Sequence, residues 1–375
     1  MDTRNPVVVA ARRTPIATRG RSLARLGVDA LAAPVLGAAL SDARAATGRD
    51  HRVGDVVLGN CMGPGGNTAR VAALAAGLGH EVPGMGIDRQ CGSGLAAIIT
   101  ASTAIAAGDD RLHLAGGTES ASTAPVRSID GVPYDKAPFV PAGWPDPGMV
   151  RAAEDLAAAT GIGRTRQDAY AAQSHRRAAS ALRRGALDAE LVGTGPLAAD
   201  ELPRRAESLL ARFTPLFPGG TLTAGNSCRT SDGAAAVALV PGPANTAPGL
   251  AVRAHAVIGC DPALPGIGAA PAIIAALASA GLDVADLAAI ELVEAFAVQT
   301  LAVLEAIGVA DEDPRVCADG GALAWGHPWG ASGAVSVVRL FSRLVRGGPP
   351  AGTLGVAAAS VGGGLGVAAV FEVVR

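Results

Sequence analysis

The sequence predicts an α/β protein made of two similar βα halves with an insertion in the first. Three observations carry this. Short apolar runs (PVVVAA, DVVLGN, LHLAGG) alternate with longer Ala- and Leu-rich segments (DALAAPVLGAALSDA, GLAAIITASTAIAAG), the pattern of a mostly parallel sheet covered on both faces. The alternation stops near Glu119 and starts again after Leu250. A chain of 375 residues also exceeds what a single hydrophobic core usually serves.

Taken in order, MDTRNPVVVAARRTP reads as a charged start followed by a short strand, and βα alternation continues to Gly117. The stretch 119–220 differs: it is Pro-rich around Tyr134 to Pro147, then helical and arginine-rich (RTRQDAYAAQSHRRAASALRR), with no strand-like run. A strand signal returns at Thr221 with TLTAGNSCRTSDGAAAVALV. The second alternation runs through AAIELVEAFAVQ, GGALAWGHPWGASGAVSVVRL and GTLGVAAASVGGGLGVAAVFEVV. The expected division is therefore 1–118 with 221–249 as one half, 119–220 as the insertion, and 250–375 as the other half. In each half a Gly-bracketed reactive residue opens a small-residue helix (CGSGLAAIITA, GHPWGASGAVSVV), and a strand ending in Gly follows, which suggests duplication.

Composition narrows the chemistry. Aromatic residues are 3% of the chain, so Ala, Val, Leu and close backbone contacts must fill the core. A net charge of −2 without blocks of like charge gives no footprint for nucleic acid. Lys136 is the only lysine, and no lysine-dependent motif surrounds it. The cysteines at 61, 91, 228, 260 and 317 are odd in number and widely spaced, which fits a reduced cytosol better than a disulfide framework. The uncharged runs Cys91 to Gly108 and Gly347 to Phe371 read as a buried helix and a pair of buried strands rather than membrane spans. No CxxC, HExxH or His/carboxylate cluster points to a metal, and GxSxG, GxGxxG and GxxxxGK loops are absent.

Three segments remain. In IDRQCGSGLAA, a helix beginning near Ser93 would aim its first free N–H groups at Cys91 and favour the thiolate, although free cysteine is also a common core residue. In GGALAWGHPWGASG, His327 is the one histidine of six in a tight glycine-rich setting, either catalytic or structural. In ASVGGGLG, consecutive glycines free backbone N–H groups for an anion-binding turn, or simply join two buried strands.

In this order, RQCGSGLAA, GGTESAS, LTAGNSCRTSDGAAAVAL, VEAFA, GGALAWGHPWGASG and SVGGGLGVAAVFE resemble the thiolase family of acyl-CoA acyltransferases over nearly the whole chain. The resemblance implies a five-layered αβαβα core of two similar halves, with an inserted loop domain that covers coenzyme A. It implies Cys91 as the nucleophile that takes the acyl group, and His327 as the residue that activates it and binds the thioester carbonyl. The N–H groups of Cys91 and Gly362 would form the hole for the tetrahedral intermediate. Met149 resembles the methionine of the acyl pocket, and Ser227 and Cys228 fall beside the pantetheine, Cys228 where the family usually has serine. Arg204 and Arg205 are candidates for the CoA phosphates, or a solvated helix face. No permanent cofactor is implied, only a CoA thioester as substrate with a small-molecule or thioester acceptor, in a homodimer or homotetramer.

Besides Cys228, three positions depart from the family. Ser360 stands where a second cysteine moves the α-proton, and an aliphatic hydroxyl is a far weaker base than a thiol of pKa about 8.5. Val293 replaces the asparagine of the N-E-A-F motif, although Glu294 remains, and Asp319 replaces the asparagine before the GHP turn. Acyl transfer through Cys91 is thus better supported than the carbon–carbon step. Claisen-type condensation or thiolysis is the expectation. A decarboxylating donor, a nitrogen or oxygen acceptor, a non-catalytic CoA-binding or partner subunit, and a ketoacyl-synthase relative using carrier-protein thioesters stand as alternatives.

Overall fold

The computed structural model describes residues 5–134, 136–203, 209–242, 245 and 247–375. In chain order the elements are β1 (Val7–Arg13), β2 (Ala17–Thr18), α1 (Val28–Thr47), β3 (Val53–Gly59), α2 (Thr68–Ala75), β4 (Gly84–Ile87), α3 (Ser93–Ala106), β5 (Leu112–Ser120), β6 (Arg127–Ile129), β7 (Val132–Tyr134), α4 (Met149–Thr160), α5 (Arg164–Arg183), β8 (Ser231–Val240), β9 (Gly249–Gly259), α6 (Ala269–Ala280), β10 (Leu287–Leu292), α7 (Ala297–Ala306), α8 (Ala322–Trp325), α9 (Trp329–Phe341), β11 (Leu354–Val361) and β12 (Leu365–Val374).

The duplication suggested by the sequence is visible in the strand pairing. In the first half β1 lies antiparallel to β8, β8 antiparallel to β5, β5 parallel to β3 and β3 parallel to β4. The second half repeats this with β9, β12, β11 and β10, and a parallel bridge from Ile290 to Val316 takes the place of the fifth strand. Val7 and Val8 pair with Ala251 and Leu250, which joins the halves edge to edge.

Strand periodicity assigns the layers. Val7 and Val9 of β1 pack outward on Leu31, Val35 and Leu36 of α1, whereas Val8 and Ala11 face an inner core with Leu95 and Ile98 of α3. In the second half Ala357 and Ala359 turn inward to the same core, and Val356 and Ala358 turn outward to Ile273 and Leu277 of α6. Helices α3 and α9 therefore form a middle layer between two sheets, giving αβαβα. Both faces of each sheet are buried, which is why the strands read as continuous apolar runs. The expectation of a mostly parallel sheet fails: β1–β8, β5–β8, β9–β12 and β11–β12 all pair antiparallel, and burial on both faces gives such runs in either direction.

The middle layer is thin because glycine makes it so. A Cβ on Gly333 would lie 2.7 Å from the Leu95 nitrogen, and one on Gly94 would lie 2.9 Å from the Ala334 nitrogen. The two helices cross backbone to backbone there, which brings the residues preceding each of them together.

The insertion contains more strand than expected. Arg127–Ile129 and Val132–Tyr134 pair as a hairpin, turned by Asp130 and Gly131 at positive φ. Helices α4 and α5 lie against α7. The strand expected from Thr221 begins only at Ser231: the Thr221 and Leu222 N–H groups bond Glu154, and the Thr223 N–H bonds Asn226, so this stretch is a loop. At its other end β5 continues through Glu119 and Ser120. No helix among the described residues is long and apolar enough to cross a membrane.

Candidate active site

Cys91 sits in a short 3-10 turn, Gln90–Gly92, that runs directly into α3. Gln90 takes a φ of 42°, a left-handed conformation that a residue with a Cβ adopts at some cost. The turn is held by its own contacts: Ser93 Oγ donates to the Gln90 carbonyl at 2.7 Å and accepts from the Arg89 N–H at 2.7 Å.

His327 enters from the other half, just before α9. Its backbone N–H donates to the Arg229 carbonyl at 2.8 Å, and its Nε2 lies 3.2 Å from the Cys91 sulfur. The tautomer follows from the neighbours. Ser332 Oγ donates its one hydrogen to the Pro328 carbonyl at 3.0 Å, so at 2.6 Å it must accept from His327 Nδ1. Nε2 is thereby left as an acceptor facing the thiol.

Both members of this pair rest neutral. Burial pushes the Cys91 thiol up to about 12, outweighing the N–H groups of Cys91 and Gly362 that favour its ionised form. Burial pushes His327 down to about 4. Burial thus works against the thiolate expected from the helix end, and desolvation exceeds the pull of the N–H groups. Nucleophilic attack here requires the proton to pass to Nε2 as the sulfur bonds. The Cys91 and Gly362 N–H groups both point at the Cys91 sulfur.

Glu119 organises the surroundings and was not singled out from sequence. Its buried carboxylate accepts from the Met62, Cys61 and Gly330 N–H groups at 3.0, 3.2 and 2.8 Å and from Asn60 Nδ2 at 2.9 Å. It clamps the end of β5 to the loop after β3 and to the first turn of α9.

A cavity of about 620 Å³ opens beside the pair, within the roughly 300–1,000 Å³ usual for ligand sites. Cys91, His327, Gly362, Ser360, Met149, Ser227 and Cys228 all line it, together with Cys61, Phe139 and Gln299. Ser227 Oγ is buried there with no hydrogen-bond partner among the described residues. The Ser360 hydroxyl is committed: it donates to the Gly266 carbonyl at 2.6 Å and accepts from the Ala269 N–H at 3.0 Å, capping α6.

Other candidates lie elsewhere. Val293 is buried in the inner core. Glu294 turns away to accept from Tyr170 and Ser174 at 2.8 and 2.6 Å, tying α5 to the segment before α7. Asp319 accepts from Arg184 at 2.8 Å and pairs with the buried Arg339. Its charge belongs to an ion cluster in which Arg13 pairs with Asp200 at 2.6 Å and Glu190 at 2.7 Å. Arg204 and Arg205 lie outside the described residues. No group of His, Cys, Asp and Glu side chains among the described residues is arranged to hold a metal ion.

Comparison with known proteins agrees over the whole length. The family model for the thiolase N-terminal domain matches residues 6–242, and that for the C-terminal domain matches 247–373. VraB of Staphylococcus haemolyticus, which carries the provisional name acetyl-CoA C-acetyltransferase, is 38% identical, covering 98% of each chain. YhfS of Bacillus subtilis, provisionally given the same activity, is 38% identical over 98% of this chain and 99% of its own. The crystal structure of the Bacillus anthracis acetyl-CoA acetyltransferase superposes with a TM-score of 0.87 at 33% identity, covering 99% of both chains. That of human mitochondrial 3-ketoacyl-CoA thiolase in complex with CoA superposes with a TM-score of 0.86 at 32% identity, covering 100% of this chain and 99% of the other.

Proposed function

Because the chain belongs to the thiolase family, we propose that it works as an acyl-CoA acyltransferase that carries the acyl group on Cys91 and exchanges it between CoA and a carbon acceptor. The observation that carries this reading is the 3.2 Å approach of His327 Nε2 to the Cys91 sulfur, with Ser332 fixing the tautomer from behind. In the thiolytic direction Cys91 attacks the 3-keto carbon and His327 takes its proton. The N–H groups of Cys91 and Gly362 hold the oxyanion while the carbon–carbon bond breaks. Free CoA then removes the acyl group.

Met149 and Phe139, both close to Gly362, would bound the acyl chain, while Ser227 and Cys228 would line the pantetheine path. The insertion expected at 119–220, which in the fold lies between β5 and β8 with its hairpin and two helices, supplies part of this wall and is read as the cover over CoA. Arg204 and Arg205 remain candidates for its phosphates. The free cysteines fit a reducing cytosol. A homodimer or homotetramer is part of the same reading. Strand β4 is the free edge of the large sheet, with Met85 exposed on it and Val71 and Leu74 exposed on the adjoining α2.

The test is thiolysis of a 3-ketoacyl-CoA by CoA, followed by separation of the thioester products. Wild-type protein is expected to yield two shorter acyl-CoAs, and His327→Ala to lower kcat on the order of 10²–10⁴-fold. Unchanged kcat in His327→Ala would remove the histidine from the reaction. A second reading, a decarboxylating donor or a nitrogen or oxygen acceptor, is favoured by the commitment of the Ser360 hydroxyl and by the apolar Val293.

A further inference from the structure

Resting on the acyl-transfer reading, we propose that Cys228 moves the α-proton in the carbon–carbon step, supplying from another wall of the cavity the thiol that position 360 lacks.

Of the five cysteines, those at 61, 91 and 228 line this cavity. Cys61 is engaged: its sulfur donates to the Gln90 carbonyl at 3.1 Å and touches Ser93 Oγ at 3.5 Å. Ser360 is engaged as well, its one hydrogen going to the Gly266 carbonyl. Of the three cavity cysteines, only Cys228 has a sulfur with no partner beyond its own N–H among the described residues. Its position is fixed on both sides. The Cys228 N–H donates to the Ala295 carbonyl at 2.9 Å, Ser227 bridges to Phe296, and two residues on Thr230 bridges to His327. Cys228 therefore stands between the His327 segment and the 293–296 segment that replaces the family's N-E-A-F motif. It is also close enough to Cys91 for a thiolate on one to disfavour a thiolate on the other.

In thiolysis the sequence of proton moves balances as follows. Cys91 S–H gives its proton to His327 as sulfur bonds to the keto carbon. The C2–C3 bond then breaks, its electron pair becomes the enolate of the departing acetyl thioester, and that carbon takes the Cys228 proton. The Cys228 thiolate next removes the proton of incoming CoA–SH, whose sulfur attacks the acyl group. Cys91 leaves as thiolate and recovers its proton from His327. Burial keeps Cys228 protonated at rest, as a proton donor to an enolate must be.

The experiment incubates wild type, Cys228→Ser, Cys228→Ala and the double variant Cys228→Ser/Ser360→Cys with acetyl-CoA in deuterated buffer. Cys91 acylation is read by intact mass and α-carbon exchange by NMR. Wild type is expected to show both. The two single variants should still be acylated at Cys91, which shows that they are folded, while exchange falls on the order of 10²–10⁴-fold. The double variant should recover exchange. Exchange in Cys228→Ser at the wild-type rate overturns the assignment, as does a wild type that acylates without exchanging. In both of those cases acyl transfer through Cys91 stands, whereas a wild type that is never acylated overturns the acyl-transfer reading itself.

Discussion

Cys91 and His327 come from opposite halves of the chain, and what each does is set by burial more than by proximity. Because burial holds the thiol high and the imidazole low, the pair is neutral across the physiological range. Alkylation of Cys91 by iodoacetamide should therefore keep accelerating from about pH 6 to about pH 10, following the rising thiolate fraction. A plateau near neutrality would mean a thiolate–imidazolium pair and contradict the neutral assignment. Cys91, His327 and Gly362 were legible in the sequence because each sits in a glycine-rich motif with a chemical reason to be there. Glu119 was not, although GGTESAS contains it. A carboxylate that only accepts backbone N–H groups leaves no mark in spacing, and its partners at 60–62 and 330 are adjacent only in the fold. Ser332 was hidden for a similar reason: its role depends on α9 starting immediately after Pro328, which turns its hydroxyl back under the histidine ring.

Among the elements, the crossing of α3 and α9 decides whether the site exists. Gly333→Ala puts a methyl group 2.7 Å from the Leu95 backbone nitrogen, closer than side-chain carbons normally approach, so the helices must separate. The expected cost is roughly 1–3 kcal/mol in urea unfolding, as for other overpacked cores, with a loss of activity larger than the loss of folded protein. Activity falling only in proportion to folded protein would show that helix separation is not what sets the Cys91–His327 distance. The buried ion cluster makes a second element-scale prediction. Arg339→Met removes the partner of both Asp319 and Glu190 and should cost about 3–5 kcal/mol, because two buried carboxylates lose a cation. A loss under about 1 kcal/mol would mean that Arg13 and Arg184 suffice. Burial works to raise the Glu190 carboxyl, but Arg339 and Arg13 outweigh it and hold it below the ordinary range. Its stabilising contribution is then complete above the unfolded value of about 4.3 and disappears as pH falls through the lower folded value. The sequence displayed Asp319 only as a departure from a motif; its partner on α9 explains the charge. Strands of the core were legible from their apolar runs. The β6–β7 hairpin was not, because its six residues are mostly exposed and carry no alternation.

At the scale of the whole molecule, two copies of one topology face each other across a layer of two helices, and the reactive pair lies where those helices begin. That arrangement follows from the repeated alternation in the sequence, whereas the cavity wall supplied by the insertion depends on contacts between distant segments. The free edge at β4 makes assembly testable: Met85→Lys should shift the protein to a smaller species in light scattering while leaving its far-UV spectrum unchanged. An unchanged mass would place any interface elsewhere. The central claim is that Cys91 carries the acyl group, and intact mass spectrometry after brief exposure to acetyl-CoA addresses it most directly. A single acetyl adduct on the wild-type chain, mapped to Cys91, discharged by added CoA and missing from Cys91→Ala, is the predicted result. An unmodified wild-type chain with every acyl-CoA tried, or an adduct that persists in Cys91→Ala, would contradict it.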